Sequence, residues 1–559
     1  MVGAANNFEV EAGFRILTQG GNAVDAGVAG VLAASVTELS RFGIGGEMPL
    51  LIKMAGQAPI AISGVGVAPA KATVEFYEHR RPEPWEDAVH MPPVPGQGIL
   101  SAITPGVFDG LILALQKYGT KSFAEVAAPA IEYAEQGFPM PEEFGGMLAS
   151  HSYEGVMALW PDSMKFFYPQ GSATPIGEVF REPMLANTYR ELAAAEKKAK
   201  GKRADKLRAV RDLFYKGSIA KRIAEASEKD GGLIRYDDLA NFHADEEQPK
   251  VGTYRGYEVY KPGFWTQGPV MIEALNILEG FDLKSMGHNS PEYLHTLVEA
   301  VKLAFADRDQ YYGDPKFSKI PEEILLSKEY AAERRKLIDP KRASMEHRPG
   351  NLGSPATLPT TATVAVPVND TTCVNVVDRM GNAFNATPSG AWLPSVIMGD
   401  TGIPLTTRLQ SFVMTPGHPN QLQPGKRPRV TLSPTLVTRA GKLELIMSTP
   451  GGDNQDQALL QVLLNILEFG MSAQAAVEAP RFQTEHFYSS FAGHEFVPGR
   501  LNLEARMPKS TVDALAGLGH RVTVAGDWSN SSAPTVIWVH DGVLNGGADP
   551  RRARFIFGR

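Results

Sequence analysis

One cysteine, Cys373, occurs in 559 residues, so neither an internal disulfide nor a cysteine-based zinc site can form. A cysteine-poor chain persists in either redox setting, which leaves the compartment open. No run of about 18 consecutive apolar residues is present, so no segment reads as a membrane-spanning helix. The start, Met1-Val2-Gly3-Ala4-Ala5-Asn6-Asn7, lacks the basic and long apolar regions of a secretory signal. The chain as it stands reads as cytoplasmic, and as periplasmic or secreted if a leader was trimmed. Basic excess is missing too: the net charge is −7, a poor match for nucleic acid, which requires a basic surface. Several catalytic signatures are absent. There is no G-x-S-x-G and no H-E-x-x-H, and the 12 histidines show no metal-ligand spacing. Gly425-Lys426-Arg427 lacks the remainder of a P-loop, and Gly43-Ile44-Gly45-Gly46 lacks the third glycine of a dinucleotide fingerprint. Serine esterases, zinc hydrolases, NTPases and Rossmann enzymes are thereby disfavoured. No metal and no cofactor is expected.

The composition, 43% hydrophobic and 21% charged, is that of a globular protein rather than a disordered or collagen-like one. Length alone suggests roughly three or four domains. Two helices open the chain, one over Val10 to Gln19 and one from the Asn22 cap to Leu39, with Asp25 placed for a capping box. The second is rich in alanine and glycine, which permits close approach to a neighbouring layer. Leu50-Leu51-Ile52 reads as a short buried strand. Residues 110 to 250 are mostly helical, including a Lys/Arg-rich helical run from Glu196 to Arg211 that reads as a solvated face. Gly252 to Tyr260 reads as a strand-pair edge and Gly268 to Leu278 as a helix, whereas Arg348 to Pro359 reads as a mobile connector. In the last third, Cys373 to Asp378 and Ala383 to Ala386 flank a turn. Leu443 to Met447 is a strand, Asp453 to Phe469 a helix, and Thr535 to Leu544 a hairpin through Asp541-Gly542. Strands concentrated late and helices early suggest layers shared across the chain.

The informative segment is Asn369-Asp370-Thr371-Thr372-Cys373-Val374-Asn375-Val376-Val377-Asp378. A threonine hydroxyl is a weak nucleophile that needs a base. If the chain is cut before it, its own α-amine, with an ordinary pKa of about 7.7–8.0, can take the proton. Taken alone, the two threonines are much better explained as β-formers starting a strand.

Thr371-Thr372 through Val376-Val377-Asp378 and Gly381-Asn382-Ala383 resembles the small-subunit start of the γ-glutamyltranspeptidase family. The likeness extends in order through Gly20-Gly21-Asn22-Ala23-Val24-Asp25-Ala26, Ala68-Pro69-Ala70-Lys71, Thr104-Pro105-Gly106, Lys426-Arg427-Pro428 and Pro450-Gly451-Gly452. It continues through Ala479-Pro480-Arg481-Phe482 and Ala548-Asp549-Pro550-Arg551. The resemblance implies an α+β fold of the N-terminal-nucleophile type, a four-layer αββα sandwich. It also implies a proenzyme cut between Asp370 and Thr371 into a large subunit 1–370 and a small subunit 371–559. These would form a heterodimer, with a dimer of heterodimers as a further option, folded together as one intertwined domain. By the same resemblance Thr371 is the nucleophile, Gly451 and Gly452 are the oxyanion-hole glycines, and Ser389 stands where a second threonine bonds the nucleophile. Gly451 and Gly452 precede a helix, where free N–H groups favour negative charge. Asp378 and Asn382 are expected to hold their hairpin.

The head-group residues depart from the family pattern. Val65 replaces an arginine, Ala391 an asparagine, and Thr406-Thr407-Arg408-Leu409-Gln410-Ser411 carries no acid; Val430 and Thr431 replace two serines. The lost charge-assisted contacts are worth about 1.5–3 kcal/mol each. The expected partner is therefore a small-molecule amide that is not γ-glutamyl, as in the family's acylase and amidohydrolase branches. Val65, Arg408, Ser411 and Thr431 are the candidate substrate-binding residues. Val67, Val430 and Trp392 would make the pocket more apolar if they line it. Arg408 is either an anchor for a substrate carboxylate or half of an ion pair with a core-lining acid. Two other readings are a true glutathione hydrolase with a rebuilt pocket and an inactive member kept as a binding protein.

Overall fold

The computed structural model describes residues 1–150, 153–353, 358–361 and 370–559. The helix Ala23–Thr37 is buried along its whole length. Asn22 accepts from the Val24 and Asp25 amides, and the Asp25 side chain returns a bond to the Asn22 amide, completing the expected capping box. Its small residues serve the predicted close approach. A Cβ on Gly27 would lie 2.2 Å from the Phe384 ring, and one on Gly30 would lie 2.9 Å from Val374 Cγ1. The helix thus rests directly on the strands Val374–Val377 and Ala383–Ala386.

Those strands are the centre of a seven-stranded antiparallel sheet. Its order is Phe555–Phe557, Val2–Ala4, Val374–Val377, Ala383–Ala386, Met48–Lys53, Ile60–Gly64 and Glu246–Glu247. A second antiparallel sheet has six strands, in the order Val543–Ala548, Thr535–His540, Lys442–Ser448, Thr435–Arg439, Tyr257–Lys261 and Lys250–Tyr254. Leu51, Val377, Leu436, Ile446 and Ile537 pack between the two sheets. Side-chain amides also tie them: Asn375 Nδ2 donates to Thr535 O at 2.9 Å, and Asn385 Nδ2 to Thr435 O at 2.5 Å. This is why the polar alternation after Cys373 does not mark a solvent face; both faces of Val374–Val377 are buried.

Helices Asn7–Thr18, Ala23–Thr37, Val107–Tyr118 and Phe123–Gln136 cover the outer face of the first sheet through one apolar core. Pro269–Leu278, Pro291–Tyr311 and Gln455–Leu467 share a second core with the six-stranded sheet. Helix, sheet, sheet and helix give the expected αββα sandwich. Both sheets take strands from before and after the Asp370–Thr371 bond: they are interleaved in the first, where Val2–Ala4 lies between Phe555–Phe557 and Val374–Val377, and side by side in the second, where Thr435–Arg439 pairs with Tyr257–Lys261.

Three local readings change. The basic run is two helices, Pro183–Lys198 and Arg203–Tyr215, because Gly201 at φ +103 breaks it. The early region supplies more strands than its pattern suggested, since Val2–Ala4 and Ile60–Gly64 are too short to show a period. The helix after Gly451 starts as a 3₁₀ turn over Gly452–Asn454 and becomes α-helical at Gln455. The connector read over 348 to 359 lies partly outside the described residues.

Candidate active site

A hairpin between Val377 and Ala383 follows Thr371 and Thr372. Asp378 accepts from the Met380 amide at 2.8 Å and from Asn382 Nδ2 at 2.7 Å, and its other contact caps the Ala23 amide at 2.9 Å. The family-like residues Asp378 and Asn382 therefore hold the turn to the helix beneath it, as expected. Upstream of that strand, Thr371 bridges Ser389 in antiparallel register, and the Thr372 amide donates to Pro388 O at 3.0 Å.

Thr371 is 2% exposed, and its Oγ1 lies 3.2 Å from Ser389 Oγ. Gln455 Nε2, from the first turn of its helix, reaches Thr371 Oγ1 at 3.5 Å. The carbonyl oxygen of Asp370, the residue before Thr371, accepts two hydrogen bonds. One comes from Ser389 Oγ at 2.9 Å, the other from the Trp392 indole N–H. Arg408 Nη2 donates to Ser389 Oγ at 3.2 Å, so the Ser389 proton is left to point at the Asp370 carbonyl.

Arg408 is fully buried, with Nε 2.6 Å from Glu47 Oε1 and its guanidinium stacked 4.3 Å from the Trp392 ring centroid. Thr406 Oγ1 donates to the other Glu47 oxygen at 2.5 Å. Of the two roles open for Arg408, the structure places it in the ion pair, and the core-lining acid is Glu47. Burial raises the Glu47 carboxyl, and Arg408 opposes that shift.

Gly451 and Gly452 have φ values of +121 and +55. A Cβ on Gly451 would lie 2.3 Å from Ser532 Oγ, and one on Gly452 would lie 2.9 Å from the Phe491 ring. The next residue, Asp453, pairs with Arg308 and accepts from Ser490 Oγ at 2.6 Å, which anchors the turn. Neither glycine amide donates to a described residue. Ser389 is thus bonded directly to Thr371, to the Asp370 carbonyl and to Arg408, with the glycine turn adjacent through Gln455. Ser411 shares the 3₁₀ turn Arg408–Ser411, and its buried hydroxyl has no partner. Val65 and Thr431 are buried and make no hydrogen bond to this cluster; the Thr431 hydroxyl is also without a partner. The site is closed. A cavity of about 1100 Å³ lined by Tyr311, Ile320, Leu352 and Pro419 includes none of these residues.

Glu47, Gln455, Arg41 and Arg552 were missed from sequence, and Trp392 was read only as apolar lining. The one available signal was an acid, Glu47, directly after Gly43-Ile44-Gly45-Gly46 at the head of an apolar strand. The fold also brings together His295, Glu299 and His520, distant in sequence, with ligand atoms within 4.8 Å. Most of the cluster's polar atoms pair with one another or with neighbouring groups, and His520 Nδ1 is buried without a partner. His295 and His520 bond each other at 2.9 Å, and Glu299 is paired with Lys302 at 2.6 Å and Arg348 at 3.0 Å.

The gamma-glutamyltranspeptidase family profile matches residues 10–558. The chain belongs to the γ-glutamyltranspeptidase family. It is 32% identical to the glutathione hydrolase proenzyme of Escherichia coli (strain K12) over 99% of this chain and 90% of that protein. It is 32% identical to the acylase ACY 1 proenzyme of Pseudomonas sp. (strain SE83) over 96% of this chain and 89% of that protein. The solved cephalosporin acylase from Bacillus halodurans superposes with a TM-score of 0.84 at 29% identity, covering 99% of this chain and 94% of that one. As a γ-glutamyltranspeptidase family member the chain is an amide-bond hydrolase of the N-terminal-nucleophile class.

Proposed function

We propose that the chain is a precursor that cuts itself between Asp370 and Thr371 and then hydrolyses amides of a non-γ-glutamyl acid through an acyl-enzyme on Thr371. The observation that carries this reading is the Asp370 carbonyl held by Ser389 and Trp392 beside the Thr371 hydroxyl. Two donors on one carbonyl oxygen favour the charge that develops there on attack. Thr371 Oγ1 bonds to the Asp370 carbonyl carbon, the Asp370–Thr371 C–N bond breaks, and the hydroxyl proton passes to the departing nitrogen. Water then hydrolyses the ester, releasing the Asp370 carboxylate and a free Thr371 amine. In turnover that amine takes the Thr371 proton and returns it to the leaving amine. Gly451 and Gly452 offer the unpartnered amides that meet the substrate oxyanion. The two pieces, 1–370 and 371–559, remain together because Val2–Ala4 lies between Phe555–Phe557 and Val374–Val377.

The absence of partners for an amino-acid head group supports a non-γ-glutamyl substrate. Val65 and Ala391 are apolar, and the Arg408 cation is neutralised by Glu47. A buried site without partners for an α-carboxylate and an α-ammonium rejects both. The named acylase relatives agree with this reading, while the E. coli glutathione hydrolase supports a second, genuine γ-glutamyl hydrolysis. Retention of Thr371, Ser389, Gly451 and Gly452 argues against an inactive binding protein.

Two measurements test the proposal. On a denaturing gel the purified protein should give two fragments, the smaller beginning Thr371-Thr372-Cys373, and Thr371→Ala should abolish both cleavage and turnover. A single stable band with activity present refutes self-processing. Second, kcat/KM for a γ-glutamyl anilide should fall below that for an anilide lacking the α-amino group. A γ-glutamyl advantage of about tenfold, or about 1.4 kcal/mol, establishes the glutathione-hydrolase reading instead.

A further inference from the structure

The side chain of Asp370 has its own binding site. Arg41, just past the helix Ala23–Thr37, brings Nε to 2.9 Å from Asp370 Oδ2, and Arg552, ahead of the last strand, pairs with the same oxygen. The Asp370 side chain is 5% exposed. Arg41 has two further acids, Glu38 at 3.1 Å and Glu143. Arg552 has no other ion-pair or hydrogen-bond partner among the described residues. Arg554 adds a third nearby cation, and Glu9 is a third nearby acid whose carboxyl burial pushes well above its ordinary range. Burial and the two neighbouring arginines lower Arg552 to about 9, consistent with a cation short of counter-charge.

Thr371 is almost inaccessible while Asp370 is in place, so Asp370 must vacate before an external amide reaches the hydroxyl. Its departure leaves Arg552, a partly buried cation 23% exposed, without its ion-pair partner, so the vacated position favours an anion. The ester formed in self-cleavage is an aspartyl ester of Thr371, with its carboxylate two carbons from the carbonyl. An acyl-enzyme in turnover is an ester on the same oxygen. We propose that Arg41 and Arg552 form a carboxylate subsite in the mature enzyme, selecting amides whose acyl part ends in a carboxylate two carbons from the scissile carbonyl, as in a succinyl amide. This rests on the self-processing reading above and names its substrate class. It also explains a second barrier to γ-glutamyl groups, because the same arginines repel an α-ammonium.

The test uses the purified, processed wild-type enzyme and three 4-nitroanilides: succinyl, glutaryl and butyryl. The expected kcat/KM is greatest for the succinyl compound and at least about tenfold above the uncharged butyryl one. Arg552→Met should bring the succinyl-to-butyryl ratio toward one, and Arg552→Lys should restore part of it. Equal wild-type rates for succinyl and butyryl anilides overturn the subsite while leaving self-processing intact. A ratio that survives in Arg552→Met overturns it as well, and because the wild-type comparison needs no variant, a misfolded Arg552→Met does not block the test. A single unprocessed band that hydrolyses no anilide removes both proposals together.

Discussion

Replacing Trp392 by phenylalanine removes an N–H and keeps an aromatic ring. The ring remains to stack against Arg408, now 4.3 Å from the indole centroid, and to meet Phe491, now at 6.0 Å. The lost N–H is one of two donors to the Asp370 carbonyl; the other is Ser389 Oγ at 2.9 Å. In the ground state such a bond contributes about 1 kcal/mol. When the oxygen gains charge during attack, one donor is worth about 2.7–4 kcal/mol, or 10²–10³ in rate. Trp392 is 2% exposed, so bulk water does not simply replace it. The difference between the two values is what accelerates cleavage. The expected result is that the 60.5 kDa precursor converts into pieces of about 40 and 20 kDa about 100-fold more slowly than in wild type. The assay is a gel time course on freshly made precursor, with the melting temperature recorded alongside to expose any packing loss from the smaller ring. Cleavage within about threefold of wild type, corresponding to less than 1 kcal/mol, refutes the role of the indole as an oxyanion donor.

Two further outcomes follow from the buried charges. Arg408→Met strands Glu47 without its cation and should cost about 3–5 kcal/mol, seen as a lower melting temperature, with Glu47→Gln in the same chain recovering part of it. Rates on acidic and neutral anilides should fall together; a loss confined to acidic ones would instead make Arg408 the carboxylate anchor. Glu182 has both carboxyl oxygens buried without hydrogen-bond partners, and burial raises its pKa well above 4.5. The folded state keeps this proton while the unfolded state loses it above pH 4.5, so its contribution to stability falls as pH rises toward the folded-state pKa. The melting-temperature gap between Glu182→Gln and wild type should therefore shift in the variant's favour from about pH 5 to pH 8, and a gap independent of pH refutes this assignment.

Local signals decided much of the architecture. Asn22 with Asp25 specifies a helix start through its own side-chain bonds, and Asp541-Gly542 specifies a hairpin because both residues take positive φ, +51 and +77. Gly27 and Gly30 already announced a helix pressed against another layer. Thr371, Ser389, Gly451 and Gly452 are singled out through the resemblance of the ordered weak motifs to the γ-glutamyltranspeptidase family. What the tertiary structure alone decided is which charges meet. Glu47 and Arg408 are 361 residues apart, and Arg41 and Arg552 reach Asp370 from opposite ends of the sequence. A Coulomb partner leaves no periodicity in a sequence, because the interaction depends on distance through space and on the loss of water around both groups. The sequence by itself determined that an extended segment follows Thr371 and Thr372 and that a helix of small residues lies near the start of the chain. Folding determined that the carbonyl before it faces a serine and an indole, and that the carboxylate beside it occupies a site built from two arginines.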